Sequence, residues 1–168
     1  MEGHLALGDR AAALRAYPDV HVTLNFSSAD VANPRLLDDL ERMLATAHVS
    51  ASQIVIELTE SGDHDVPGLA DGLMRLRRAG HWIGVDDFGT GSSNASRLAA
   101  YRPEIVKVDR SFLLHAHTLT HAAELLPQLV AMARGCGAKV VVEGVETADQ
   151  AALLAGGGPL DGLLEQPA

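Results

Sequence analysis

Five short runs rich in β-branched residues recur along this chain of 168 residues, and helical patterns fill the intervals between them. The predicted strands are Val20–Phe26, Gln53–Leu58, Trp82–Val85, Ile105–Val108 and Lys139–Val142, with a weaker sixth near Leu160–Leu164. Strands that alternate with helices form parallel βα units joined by right-handed crossovers. This pattern restricts the fold to an α/β class with two solutions, an open doubly wound sheet or a barrel of the TIM type.

Apolar residues at spacings of three and four predict the helices, over residues 36–44, 69–76, 125–133 and 145–154. The chain is close in length to one ordinary domain of roughly 150 residues. We therefore expect a single domain over 1–168. Within it, 1–19 form a ragged N-terminal helix, 20–155 carry the βα units, and 156–168 form a degenerate strand or tail.

The segment after the first strand helps to choose between the two solutions. An open doubly wound sheet usually has a Gly-rich phosphate loop at that point. Here the chain continues from Phe26 with Ser27-Ser28-Ala29-Asp30, which contains no glycine. The barrel is therefore favoured.

A polar side chain lies near the C-terminal end of each predicted strand: Asn25, Glu57, Asp86, Lys107 and Glu143. Side chains two residues apart share a face of a strand, so these groups have apolar neighbours that face the helices. In a TIM barrel the active site is built from such strand ends, which converge at one mouth. The sequence therefore predicts that these five groups meet.

Each polar group also has an ordinary structural explanation. Asn25 could be a strand-end hydrogen-bonder, and Asp86-Asp87 could belong to a turn. Glu143 could be an acid at the start of a helix. Likewise, Lys107 could pair with Asp109, and Glu57 with Glu60 could form a solvated edge. Their recurrence at five strand ends favours a shared function.

Oxygen ligands alone suit Mg²⁺ or Mn²⁺ rather than zinc. Two such ions about 3.5–4 Å apart can stabilise both the attacking and the leaving oxygen of a phosphodiester. The adjacent Asp86 and Asp87 could serve two neighbouring ions if they lie at the end of a strand. In such a site Lys107 could orient water, and Glu143 could act as the base.

Composition excludes several classes of function. The net charge of −9 argues against binding to nucleic acid or to an anionic membrane, because both need clustered Lys and Arg. The single cysteine, Cys136, excludes an intrachain disulfide and a cysteine-based zinc site. No apolar run reaches the roughly 20 residues of a membrane span, and no signal pattern opens the chain. We expect a cytoplasmic protein.

Five motifs follow one another in a familiar order: Asn25-Phe26-Ser27, Glu57-Leu58-Thr59-Glu60, Asp86-Asp87-Phe88-Gly89-Thr90-Gly91, Lys107-Val108-Asp109-Arg110-Ser111-Phe112 and Glu143-Gly144-Val145-Glu146-Thr147. Together they resemble the successive motifs of EAL domains, the bacterial cyclic di-GMP phosphodiesterases. The resemblance covers about residues 20–155. It implies a TIM-like barrel that hydrolyses cyclic di-GMP to linear pGpG with Mg²⁺ or Mn²⁺.

The resemblance also implies roles for individual residues. Asn25, Glu57 and Asp86 would bind the first metal ion, and Asp87 the second. Catalysis would fall to Lys107, which would contact the nucleophilic water, and to Glu143 as ligand or base. Asp109 and Glu146 would bind substrate. Glu60 would hold the loop Phe88–Asn94, through which a homodimer could form.

Several features depart from the family pattern. Nothing in residues 1–19 supplies the Glu-Ala-Leu motif, whose Glu is a metal ligand in the family. A full barrel has eight strands in about 250 residues. Ser92 replaces a usual aromatic residue, and Asp161-Gly162 replaces a usual Gln-Gly. We therefore expect a barrel with about six of eight strands, truncated at its N-terminus, and an incomplete two-metal site.

Two functions are consistent with these features. The first is hydrolysis of cyclic di-GMP, impaired in this chain. The alternative is a non-catalytic EAL-like regulatory module that binds cyclic di-GMP or a protein partner. A GGDEF or sensory domain could be attached upstream.

Overall fold

The computed structural model describes residues 7–59, 66–89, 94–112, 120–148 and 150–151. Their elements in chain order are α1 (Leu7–Ala16), β1 (Val22–Phe26), α2 (Ser28–Val31), α3 (Pro34–Ala47), a 3₁₀ turn (Ala51–Gln53), β2 (Ile54–Leu58), α4 (Leu69–Ala79), β3 (Trp82–Phe88), α5 (Asn94–Tyr101), β4 (Ile105–Val108), α6 (Thr120–Gly135) and β5 (Lys139–Val142). The chain divides into two compact units, Met1–Ile83 and Gly84–Ala168. We call them the first and the second unit.

All five main predicted strands are present, and β4 and β5 have the predicted bounds. The prediction for the third strand was too short, because β3 continues through Asp86 and Asp87 to Phe88. Aspartate is disfavoured in strands, so the pattern indicated an end at Val85. The weak sixth strand lies outside the described residues. In the predicted last helix, Val145 and Glu146 are not helical, and helix appears from Ala148.

In the first unit, β1 and β2 pair in parallel from Val22 opposite Ile54 to Phe26 opposite Leu58. Both faces of β2 are buried, as expected for a parallel sheet covered by helices. At the end of β1, Ser27 caps α2 in a capping box with Asp30. The hydrogen bonds from Ser27 lower the pKa of the Asp30 carboxyl. Ser27, which follows Asn25 and Phe26, thus stabilises the start of α2.

The second unit contains the parallel pairs β3–β4 and β4–β5. Its core is made of side chains that are almost fully buried, including Val85, Phe88, Val106, Val108 and Leu126. β5 is in regular register with β4, ending with Val142 opposite Val108. Among the described residues, no helix is long and apolar enough to span a membrane.

Candidate functional site

The candidate site begins with an irregularity in the pairing of β3 with β4, which places Asp86 and Asp87. Val85 pairs with Val106, and Phe88 pairs with Val108, so β3 has two residues where β4 has one. Asp86 and Asp87 therefore lie together opposite Lys107, which is the arrangement of a β-bulge. Asp87 has a φ of 53°, in the left-handed region that Asp enters more readily than most residues.

The bulge brings three carboxylates together. Asp86, Asp87 and Glu143 each offer an oxygen, and these oxygens lie within 4.8 Å of one another. Glu143 reaches this position because it directly follows β5, where its backbone N–H donates to the Val108 carbonyl at 3.0 Å. All three residues are partly buried.

Lys107 lies beside the three carboxylates. Its Nζ is 2.6 Å from Glu143 Oε1 and 3.5 Å from Asp86 Oδ1. Only 13% of its side chain is exposed, so water screens these charges less than it would on an open surface. Three carboxylates and one ammonium leave two formal negative charges at this point. A divalent cation would neutralise them.

Backbone conformation fixes both sides of the cluster. The N–H of Asp87 donates to Asp86 Oδ1 at 3.0 Å, which restrains that carboxylate. Beyond Glu143, Gly144 has a φ of +72°, and a Cβ at this position would lie 2.6 Å from the Cβ of Arg110. The glycine of this motif thus permits a close approach that a larger residue would prevent.

Two of the predicted ligands lie in the first unit. Asn25 on β1 lies directly opposite Glu57 on β2. Glu57 is buried, with 4% of its surface exposed, whereas Asn25 is exposed. The register therefore sets an amide and a carboxylate side by side near the ends of two neighbouring strands.

The remaining predicted site residues have no described contact with the cluster. Asp109 Oδ1 accepts a hydrogen bond from the Ser111 N–H at 2.9 Å. Glu146 is exposed, and its backbone N–H donates to Gln150 Oε1 at 2.7 Å. Their roles in substrate binding stay predictions. Glu60 lies outside the described residues, as does most of the loop Phe88–Asn94.

The donor set fits the metal ions that the sequence indicates. The candidate ligands in the second unit are all carboxylate oxygens, the donors that Mg²⁺ and Mn²⁺ prefer. Within the described part of the chain, Asp86, Asp87 and Glu143 form the acidic group with metal-binding spacing. The net negative charge of the cluster favours a divalent cation.

Sequence reasoning missed one residue that contacts this site. Arg97 on α5 is buried, with 2% of its surface exposed, and its Nη1 donates to the backbone carbonyl of Asp86 at 3.2 Å. A signal for its burial was available. Arg97 precedes the buried Tyr101 by four residues and so shares its helix face.

A family model described as the EAL domain matches residues 5–158. The chain belongs to the EAL domain family. PdeB of Escherichia coli, a probable cyclic di-GMP phosphodiesterase, is 34% identical over 137 residues, which cover 82% of this chain and 26% of PdeB. The chain thus spans about a quarter of the length of that relative.

Solved structures are similar to this chain in fold. The PaMucR phosphodiesterase in complex with cyclic di-GMP has a TM-score of 0.78 at 29% identity, covering 90% of this chain and 62% of that chain. Klebsiella pneumoniae BlrP1 in complex with calcium and cyclic di-GMP has a TM-score of 0.77 at 26% identity, covering 91% of this chain and 40% of that chain. The predicted TIM-like fold is thereby confirmed, and the described residues of this EAL domain supply five of its strands.

Proposed function

We propose that this EAL domain hydrolyses a phosphodiester bond of cyclic di-GMP to give linear pGpG. The observation that carries the proposal is the convergence of Asp86, Asp87 and Glu143 on one point beside Lys107. The relative PdeB and the PaMucR and BlrP1 complexes support the choice of substrate.

In this proposal Asp86 and Asp87 would hold Mg²⁺ or Mn²⁺, with Asn25 and Glu57 as the further oxygen ligands that the family resemblance implies, and Glu143 would serve as the base. The bound ions would supply Lewis-acid stabilisation of the negative charge on the phosphoryl, attacking and leaving oxygens. The protein supplies the fixed carboxylates, which the strand register and the bulge hold in place before substrate binds.

Lys107 and Glu143 are the residues that move or hold protons in the proposed reaction. The water oxygen bonds to phosphorus while the P–O3′ bond breaks, which yields a 5′-phosphate and a free 3′-hydroxyl. Lys107 Nζ donates to the attacking water and keeps it in line. Glu143 accepts one proton from that water, and solvent returns a proton to the leaving oxygen.

Further parts of the proposal concern substrate and assembly. Asp109 and Glu146 would contact the substrate, and Glu60 would support the loop Phe88–Asn94. A homodimer would form through that loop region, and a GGDEF or sensory domain would lie upstream. Light scattering on the purified chain tests the dimer.

The activity test is a pGpG-release assay with Mn²⁺ on the full chain and on Asp86→Asn. We expect the substitution to abolish release, because it removes a carboxylate from the cluster. Asp39→Asn is the matched control, since Asp39 is an exposed carboxylate on α3 paired with Arg42. Release that survives Asp86→Asn would contradict the proposed site.

The 168 residues contain no Glu-Ala-Leu sequence, and so lack one carboxylate of the family pattern. We expect turnover at least about a hundredfold slower than that of PdeB, because a missing ligand weakens the metal site and the charge of a bound ion stabilises the transition state by several kcal/mol. Turnover equal to that of PdeB would contradict this expectation. Binding of cyclic di-GMP that depends on Asp86 without any pGpG release would support the regulatory alternative.

A further inference from the structure

We propose that Arg97 is a positioning residue that holds the β3 bulge in the shape required by the cluster Asp86, Asp87 and Glu143. The inference rests on the proposed function, because it concerns the same carboxylates. The contact that carries the inference is the one between Arg97 and the backbone of Asp86.

The bulge creates a need for hydrogen-bond partners. Regular pairing between β3 and β4 is interrupted between Val85 and Phe88. Backbone groups in an interrupted stretch lack their usual ladder partners, and buried ones must be satisfied in another way. The guanidinium of Arg97 meets this need at the Asp86 carbonyl, with Nη1 at 3.2 Å.

The burial of Arg97 makes the hydrogen bond to the Asp86 carbonyl important for both residues. Arg97 as a whole is 2% exposed, so its guanidinium has lost nearly all of its water and its donors depend on protein acceptors. Arginine has five donors in a rigid plane, which suits it to several acceptors at once. The contact therefore ties α5 to the one point of β3 where the backbone departs from regular geometry.

The expected consequence concerns the direction of the two carboxylates. In a regular strand adjacent side chains point to opposite faces, so Asp86 and Asp87 could not both turn toward Glu143. If the bulge relaxes, one carboxylate is withdrawn from the cluster. Loss of Arg97 should therefore weaken metal binding, although Arg97 offers no ligand atom.

The test measures Mn²⁺ affinity of the full chain by electron paramagnetic resonance, without substrate. For Arg97→Met we expect binding weaker by at least about tenfold, the usual effect of losing a group that orients a metal ligand. Arg97→Lys keeps the charge but not the planar donors, and we expect intermediate affinity. Each variant is first checked for folding by circular dichroism and urea unfolding.

The matched control is Leu98→Ala, which removes a buried side chain from the next position of α5. It should lower the free energy of unfolding without changing Mn²⁺ affinity more than about twofold, since it leaves the Asp86 carbonyl contact in place. If Leu98→Ala weakens Mn²⁺ binding as much as Arg97→Met, the effect is one of stability and the proposal is wrong. If Arg97→Met does not fold, the comparison of Arg97→Lys with Leu98→Ala decides in the same way.

Asp86→Asn separates this inference from the proposed function. If Asp86→Asn weakens Mn²⁺ binding and neither Arg97 variant does, the positioning role is wrong and the metal site stands. Mn²⁺ affinity that is unchanged in Asp86→Asn would overturn the site itself, and the positioning role with it.

Discussion

Each unit of the molecule has a cation between two carboxylates, but the two arrangements differ in their surroundings. In the first unit, Arg75 on α4 contacts Asp38 at 2.6 Å and Glu41 at 2.9 Å. In the second, Lys107 contacts Glu143 at 2.6 Å and Asp86 at 3.5 Å. The carboxylates in the first unit are about half exposed, whereas those in the second are about three-quarters buried.

The comparison shows that charge pairing alone does not identify a site. Hydrogen bonds from Arg75 to Glu41 and then Asp38 raise the pKa of the Arg75 guanidinium, which was already charged at any physiological pH. An isolated exposed ion pair contributes at most about 1 kcal/mol to stability, and such a pair is no sign of a functional site. The second arrangement differs because a bulge adds a third carboxylate, Asp87, so two formal negative charges remain beside Lys107, against one beside Arg75.

Among the substitutions that test this comparison, Glu143→Gln should have the largest effect. The substitution removes a carboxylate from the cluster and the proposed base from the reaction, so we expect pGpG release to fall by about a thousandfold. Glu41→Gln breaks the corresponding contact of Arg75 and should leave release unchanged. If both substitutions lowered pGpG release equally, the proposed functional difference between the two arrangements would be wrong.

Lys107→Met should lower pGpG release by about a hundredfold, because it removes a fixed donor to the attacking water. At the same time it leaves three carboxylates without their ammonium, so Mn²⁺ should bind about fivefold more tightly. The opposite signs of these effects distinguish a catalytic cation from a structural one. Arg75→Met is the control and should change neither quantity, and Mn²⁺ binding weakened by Lys107→Met would refute the assignment.

Gly144→Ala tests the close approach that sets Glu143 in place. The added Cβ meets the Arg110 side chain, and the left-handed backbone is costly for alanine, so the free energy of unfolding should fall by about 1–3 kcal/mol. Gly135→Ala is the matched control at the end of α6, where a Cβ would have nothing within 4 Å. Urea unfolding should show no loss for that variant. A neutral Gly144→Ala would show that the turn can adjust.

The smallest predicted effect is a pH dependence of the free energy of unfolding that arises from His81 in the first unit. This side chain is buried, its Nδ1 lies 3.4 Å from the Ile54 carbonyl, and its Nε2 has no hydrogen-bond partner within the described part of the chain. Burial lowers the pKa of His81 below 6.5, although the Ile54 carbonyl, Glu41 and the Ala51 carbonyl oppose the shift. The unfolded chain therefore takes up the proton first.

It follows that the free energy of unfolding should decrease as the pH is lowered below 6.5, until folded His81 is also protonated. His81→Gln should flatten that dependence in urea titrations at several pH values. His21→Gln, at an exposed histidine, should leave it as in the wild type. A slope that persists in His81→Gln would assign the effect to another group.

Much of the second unit could be predicted from the sequence. The β-branched runs located β4 and β5, and the polar residues at strand ends indicated Asp86, Lys107 and Glu143. These predictions succeed because the C-terminal ends of parallel strands lie at the same edge of a sheet, whatever the details of packing.

The bulge and Arg97 could not be predicted in the same way. The bulge depends on the pairing register between β3 and β4. No local property of Asp86 or Asp87 determines that register. Arginine on a helix is usually solvated, so the position of Arg97 gave only a weak sign of burial. Sequence patterns identify which residues are available, whereas tertiary pairing decides where they point.

The extra residue in β3 has a consequence for how this family can change over generations. Loss of a single codon at Asp86 or Asp87 would restore one-to-one pairing with β4 and give a more regular sheet. One of the two adjacent carboxylates would then be gone. A hydrolase and a binding-only descendant with the same architecture would then differ by one deletion within a strand.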